Sequence, residues 1–144
     1  MEYIAKSLDE LSQKELFDIF KERVRVFVVE QDCPYQEVDD TDETAVHIIL
    51  KDKDKVAAYA RIMEGGDYAS FGRVLTVKEY RGLKLGRGIV EKSINEIKER
   101  FPGKSIKISA QEYLKSFYES FGFETVSEVY LEDGIPHMDM ILKI

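Results

Sequence analysis

The feature that most constrains this chain is a change of apolar period across a basic, glycine-containing turn. Phe71 to Val77 reads as a strand. Val74, Leu75, Thr76 and Val77 are β-branched or apolar residues that suit a pleated, half-buried surface. From Ile89 onward the spacing lengthens to about 3.6 residues, with Ile89, Val90, Ser93, Ile94, Ile97 and Phe101 on one helical face. Between strand and helix lie Arg81, Gly82, Leu83, Lys84, Leu85, Gly86, Arg87 and Gly88. The first turn of a helix leaves its N–H groups unpaired, and the helix dipole adds partial positive charge there. A phosphate is the natural occupant of such a place. Arg81, Lys84 and Arg87 supply full charges, and the glycines let an anion approach the backbone. The spacing departs from both the P-loop and the dinucleotide fingerprint. On spacing alone, a strand-to-helix turn with solvated basic side chains fits equally well.

Composition narrows the function classes. The chain has 144 residues, is 44% hydrophobic and 34% charged, and carries a formal net charge of -7. This describes one globular domain, residues 1–144, with a charged surface. The acidic balance argues against nucleic acid or an anionic membrane as the main partner, since both need a basic face. No run approaches the roughly 18 apolar residues of a membrane span, and Met1 to Leu8 lacks the pattern of a secretory leader. Cys33, the single cysteine, has no internal disulfide partner, which makes a reducing cytoplasm the expected location. A homodimer is left open.

Along the chain, Tyr3 to Ala5 reads as a short edge strand. Ser12 and Glu15 form a capping box. The helix behind it puts Leu16, Ile19, Phe20, Val24 and Phe27 on a buried face, leaves Arg23 and Arg25 exposed or paired, and ends near Asp32, ahead of Pro34. Glu30, Asp32, Glu37, Asp39, Asp40, Asp42 and Glu43 crowd the following stretch. They lack the central glycine and closing glutamate of a calcium loop, so no metal is expected. Most are read as a solvated acidic loop, while Glu30 and Gln31 are read as lining a pocket for an amine. Strands are expected at His47 to Leu50, Val56 to Met63 and Ser105 to Ala110, with a hairpin turn at Gly65-Gly66-Asp67. Pro102-Gly103 stops the long helix. A further helix, Glu112 to Phe121, closes at Gly122, and a last hairpin turns at Asp133-Gly134. The sum is a mixed α/β sheet with helices on both faces.

Two segments carry a resemblance to the GNAT N-acetyltransferases. In the turn, Arg81 and Gly86 match that family's acyl-CoA-binding pattern, with Lys84 where its first glycine is usual. Near the end, Tyr118, Gly122 and Phe123 match its Tyr-x-x-x-Gly-Phe hallmark. The run from Phe27 through Glu30, Gln31, Cys33, Pro34 and Tyr35 to the later aspartates and His47 resembles the ElaA-like branch. The resemblance implies the GNAT fold, a mostly antiparallel mixed sheet in which two central strands splay apart to admit the cofactor. It implies acetyl-CoA as co-substrate and a small-molecule or peptide amine as acceptor. Leu75, Thr76 and Val77 would line the pantetheine arm, Arg81, Gly82, Leu83, Lys84, Leu85, Gly86, Arg87 and Gly88 would hold the pyrophosphate, and Tyr118 would contact the cofactor and protonate the departing thiolate. Read from residues alone, Tyr118 is equally an aromatic of the core. The base that takes the ammonium proton is Glu30, Glu112 or His47; His47 also reads as a hydrogen-bonded strand residue. The alternative is a non-catalytic acyl-CoA sensor acting through a protein partner at the acidic loop.

Overall fold

A computed structural model describes all 144 residues, Met1–Ile144. The strands are β1 (Glu2–Ser7), β2 (Val46–Asp52), β3 (Lys55–Glu64), β4 (Tyr68–Thr76), β5 (Ser105–Gln111), β6 (Glu124–Thr125), β7 (Tyr130–Glu132) and β8 (Ile135–Leu142). The helices are α1 (Gln13–Val24), α2 (Leu85–Arg100) and α3 (Lys115–Glu119). The sheet runs β1-β2-β3-β4-β5-β8-β6, with β7 paired to β8. Every pairing is antiparallel except β4 with β5. These two parallel strands meet only at Tyr68–Ser105 and Ala69–Ile106 and then part, the splayed pair that the resemblance implies. No helix is long and apolar enough to cross a membrane.

Helices cover both faces of the sheet, as the alternating strand patterns require. Ile89, Val90, Ile94 and Ile97 of α2 pack with Ile48, Ala58, Ile62, Phe71, Ile106, Ile108 and Met140. On the opposite face Ile19 of α1 and Val26 pack with Ile49, Tyr59 and Leu75. Ser12 caps α1 as expected: its Oγ accepts from the Glu15 N–H, and Glu15 Oε1 accepts from the Ser12 N–H.

The α1 region departs from the expected pattern. Val24 is 39% exposed, whereas Arg23 is fully buried. The α-helix stops at Val24 and continues as a π-helical turn, Arg25–Glu30, two residues short of Asp32. Ile19, Arg23 and Val26 follow one another at four- and three-residue steps on a single buried face, and the arginine at its centre is buried because acidic partners meet it, which leaves Val24 on the outer face with Phe17. Near the other end, the segment expected as one helix from Glu112 is a 3₁₀ turn, Glu112–Leu114, followed by the short α3. Asp133 and Gly134 both have positive φ, 50° and 77°, as a tight two-residue hairpin demands.

In the acidic segment Glu30, Asp32, Asp40 and Glu43 are exposed, as expected for most of these acids, but two others are not. Glu37 and Asp42 are each only 3% exposed. Arg23 of α1 donates from Nε to both Glu37 oxygens, at 3.1 and 3.0 Å, and from Nη1 to Asp42 Oδ1 at 2.6 Å. Arg61 of β3 reaches Asp39 at 2.7 Å and Asp42 at 3.0 Å. Arg73 of β4 reaches Glu37 at 2.5 Å. Arginines from helix and sheet thus neutralise these acids, which is the condition for burying charge.

Candidate active site

Where β4 and β5 part, a cleft of about 970 Å³ opens. Leu75 and Thr76 form its β4 wall, and Ile108, Ala110 and Gln111 its β5 wall. Glu30 and Gln31 overhang it from the end of the π-helical turn, and Tyr118 closes one side.

The turn before α2 lies past the end of the cleft lining, which reaches Arg81. Gly86 links the two, since a Cβ on it would stand 3.8 Å from Thr76 Oγ1. The helix begins at Leu85, so part of the expected loop is the first helical turn. Lys84, the residue before it, adopts a left-handed conformation with φ 59°, taking up unaided the angle that glycine adopts freely. The N–H groups from Gly82 to Arg87 donate to no other backbone group, and no side chain caps the helix. Open donors, a helix dipole and nearby cations together fit an anionic diphosphate.

Several residues of this stretch serve other ends. Arg87 is bound to Ser120 Oγ at 2.9 Å and lies over the Phe121 ring, so its guanidinium is tied to the region of α3. Gly88 faces the tip of the exposed Tyr3 side chain, which a Cβ there would push aside. Val77 does not line the cleft. Its N–H donates to the Ala57 carbonyl at 2.9 Å, and its side chain is buried on the α1 face. Leu83 is 59% exposed at the turn. Arg81 donates from Nε to the Thr76 carbonyl at 3.1 Å and from Nη2 to Glu30 at 2.6 Å.

Tyr118 is 6% exposed and packs among Phe71, Phe117 and Phe123, with ring centroids 6.2, 5.1 and 5.9 Å away. Burial, with the nearby Tyr113 adding to it, pushes its phenol up to about 12. It is therefore protonated throughout the physiological range.

The three candidate bases separate by place. Glu30 lines the cleft. Glu112 is exposed and outside the lining, although its neighbours Gln111, Tyr113 and Leu114 belong to it. His47 is fully buried and away from the cleft. Its Nε2 lies 3.1 Å from the Asp42 carbonyl, so that nitrogen carries the proton and Nδ1 accepts from the Tyr59 hydroxyl at 2.6 Å. Burial lowers its pKa from the ordinary 6.5. Both ring nitrogens of His47 are thus engaged inside the protein, and neither faces the cleft.

Sequence reasoning passed over Ser109, Gln111, Tyr113, Leu114 and Tyr35, all of which line the cleft. The polar alternation of Ser109 and Gln111 along β5 was the available signal, since their strand face carries no helix above the cleft. Cys33 also lines the cleft; its Sγ lies 3.3 Å from the Asp133 carbonyl. His137 is 7% exposed and lines it too.

Comparison with known proteins agrees with this geometry. Residues 8–144 match the model of an acetyltransferase (GNAT) domain. The chain is 41% identical over 140 residues to Protein ElaA of Escherichia coli, covering 94% of this chain and 92% of that protein. The crystal structure of E. coli ElaA superposes with a TM-score of 0.93 at 39% identity, over 98% of this chain and 99% of that one. An acyl-CoA N-acyltransferase from Pseudomonas aeruginosa superposes with the same TM-score at 34% identity, over 97% of each chain. A splayed β4–β5 pair, open amides ahead of α2 and near-complete coverage by these relatives lead to one conclusion: this chain belongs to the GNAT acetyltransferase family and has the GNAT fold.

Proposed function

We propose that the protein is an acyl-CoA-dependent N-acyltransferase that moves an acetyl group from acetyl-CoA to a primary amine by direct attack, within a single domain spanning the whole chain. The observation that carries this reading is the cleft itself, with unpaired amides from Gly82 to Arg87 beyond one end and a buried, protonated Tyr118 in its wall. The diphosphate of coenzyme A would take the amides and the Arg81 charge. The pantetheine arm would run along Leu75 and Thr76.

The neutral amine attacks the thioester carbonyl, and a backbone N–H near Leu75 steadies the developing oxyanion. The C–S bond breaks, and Tyr118 gives its proton to the sulfur. A phenol near 12 is a weak donor to a thiolate in water, but the desolvation that raises the phenol also raises a thiolate held beside it. Glu30, directly or through water, takes the ammonium proton; of the three acids and bases considered, it alone faces the cleft.

Release of free thiol from acetyl-CoA, screened against simple amines, polyamines, aminoglycosides and peptide N-termini, tests the proposal. Amine-dependent release is expected. Saturable coenzyme A binding without release for any amine would support the sensor reading instead.

A further inference from the structure

We infer that Glu37 and Arg73 form a positioning latch: the buried carboxylate holds Arg73 in a left-handed backbone conformation, and that conformation sets which face of β4 meets the acyl-CoA. The inference rests on the reading of the cleft as an acyl-CoA site.

The register of β4 against β3 contains one extra residue. Arg61 pairs with Gly72 and Tyr59 with Leu75, so β3 advances two residues while β4 advances three. Such a bulge reverses the inside–outside alternation beyond it. The reversal is visible in the packing: Phe71 and Leu75, four residues apart, belong to the cores on opposite faces of the sheet. Without the extra residue Leu75 would turn toward α2. β4 leaves β5 after Ala69 and lines the cleft from Ser70 to Thr76, so the bulge lies within the lining strand and decides which side chains of its far part, Leu75 and Thr76, turn to which face.

The residue that makes the bulge is Arg73, with φ 51°, although Gly72 stands beside it. A side chain disfavours this angle. Here the side chain is also what secures it. Arg73 Nε donates to Glu37 Oε2 at 2.5 Å, Nη2 donates to the Glu37 carbonyl at 2.9 Å, and the guanidinium lies 5.5 Å from the centre of the Tyr35 ring. Glu37 is in turn gripped by the fully buried Arg23 of α1. The connection therefore runs from α1 through Arg23 and Glu37 to the bulge, and places Glu37 as a positioning residue with no contact to substrate.

The test contrasts two truncations that remove the same contacts but differ in tolerance of positive φ. Arg73→Gly suits the left-handed angle; Arg73→Ala does not. Two readouts are needed: amide hydrogen exchange over residues 68–77, and affinity for coenzyme A by calorimetric titration. Arg73→Ala is expected to exchange faster than Arg73→Gly over Val74 to Val77 and to bind coenzyme A at least ~5-fold more weakly, on the scale of one left-handed residue. Glu37→Gln is expected to weaken binding about tenfold when Arg73 is present and to add less than about twofold in the Arg73→Gly background, as removed contacts no longer couple. If Glu37→Gln prevents folding, the comparison of Arg73→Ala with the unaltered protein decides alone, since alanine and arginine both disfavour the left-handed angle and differ in the contacts to Glu37. Exchange over Val74 to Val77 that is as slow in Arg73→Ala as in the unaltered protein overturns the latch. If the unaltered protein does not bind coenzyme A, the functional reading fails, while the exchange comparison still decides the latch.

Discussion

Nη2 of Arg81 donates a 2.6 Å hydrogen bond to Glu30 Oε1, tying the end of the π-helical turn after α1 to the turn that leads into α2. The pair sits at the cleft rim, partly open to water, so its worth to stability is at most about 1 kcal/mol. Its worth to chemistry is separate. Glu30→Gln is expected to leave the unfolding free energy within about 1 kcal/mol while lowering turnover about a hundredfold. Chemical denaturation alongside steady-state kinetics checks both; loss of stability with unchanged turnover would remove Glu30 as the base.

Tyr118→Phe keeps the ring packed against Phe71, Phe117 and Phe123 and removes only the hydroxyl. Turnover is expected to fall by about a hundredfold or more, with coenzyme A affinity unchanged. Because burial pushes the phenol up to about 12, ionisation of Tyr118 should produce no alkaline loss of rate below about pH 10. Equal losses in affinity and turnover would mark the residue as packing only.

His47 gives a stability prediction with a defined sign. Burial lowers its folded-state pKa below the unfolded 6.5, so the unfolded chain binds the extra proton more readily. Stability is fully present above about pH 6.5 and declines as pH falls from there through the folded value. His47→Gln should flatten that slope in denaturation curves measured across the range. A slope unchanged by the substitution would contradict the assignment of His47 to the structure.

Asp42 accepts from Arg23 and Arg61 at 2.6 and 3.0 Å while nearly fully buried. Burial raises its pKa, but the Arg23 and Arg61 charges and the Asp39 N–H more than offset this, and the net shift is downward. Asp42→Asn leaves two buried guanidiniums short of charge and is expected to cost about 3–5 kcal/mol. A loss under about 1 kcal/mol, measured by urea unfolding, would mean that the network is solvated after all.

What the sequence displays about this protein follows from how local each signal is. The Ser12 cap, the Pro102-Gly103 stop and the Asp133-Gly134 turn are decided by a few neighbouring residues, and all are where the sequence places them. The α2 stripe is legible because Ile89, Val90, Ile94 and Ile97 all meet one sheet face. Burial of Glu37 and Asp42 was hidden, because it depends on Arg23, Arg61 and Arg73, which come from three separate elements. The same distance hid the β4 bulge: a run of strand residues looks alike with or without one extra member. His47 stayed between two readings, a base or a hydrogen-bonded strand residue, for a related reason. A lone histidine does not show its partners in the sequence, and here Tyr59 and the Asp42 carbonyl occupy both its nitrogens.

The most direct measurement is a titration of the isotopically labelled protein with acetyl-CoA, followed by backbone amide resonances. Saturable one-to-one binding at submillimolar concentration is expected, with the amides from Gly82 to Arg87 shifting together. No interaction at near-millimolar acetyl-CoA, or saturation that leaves those amides unmoved, would contradict the assignment of the cleft and the turn before α2 to coenzyme A.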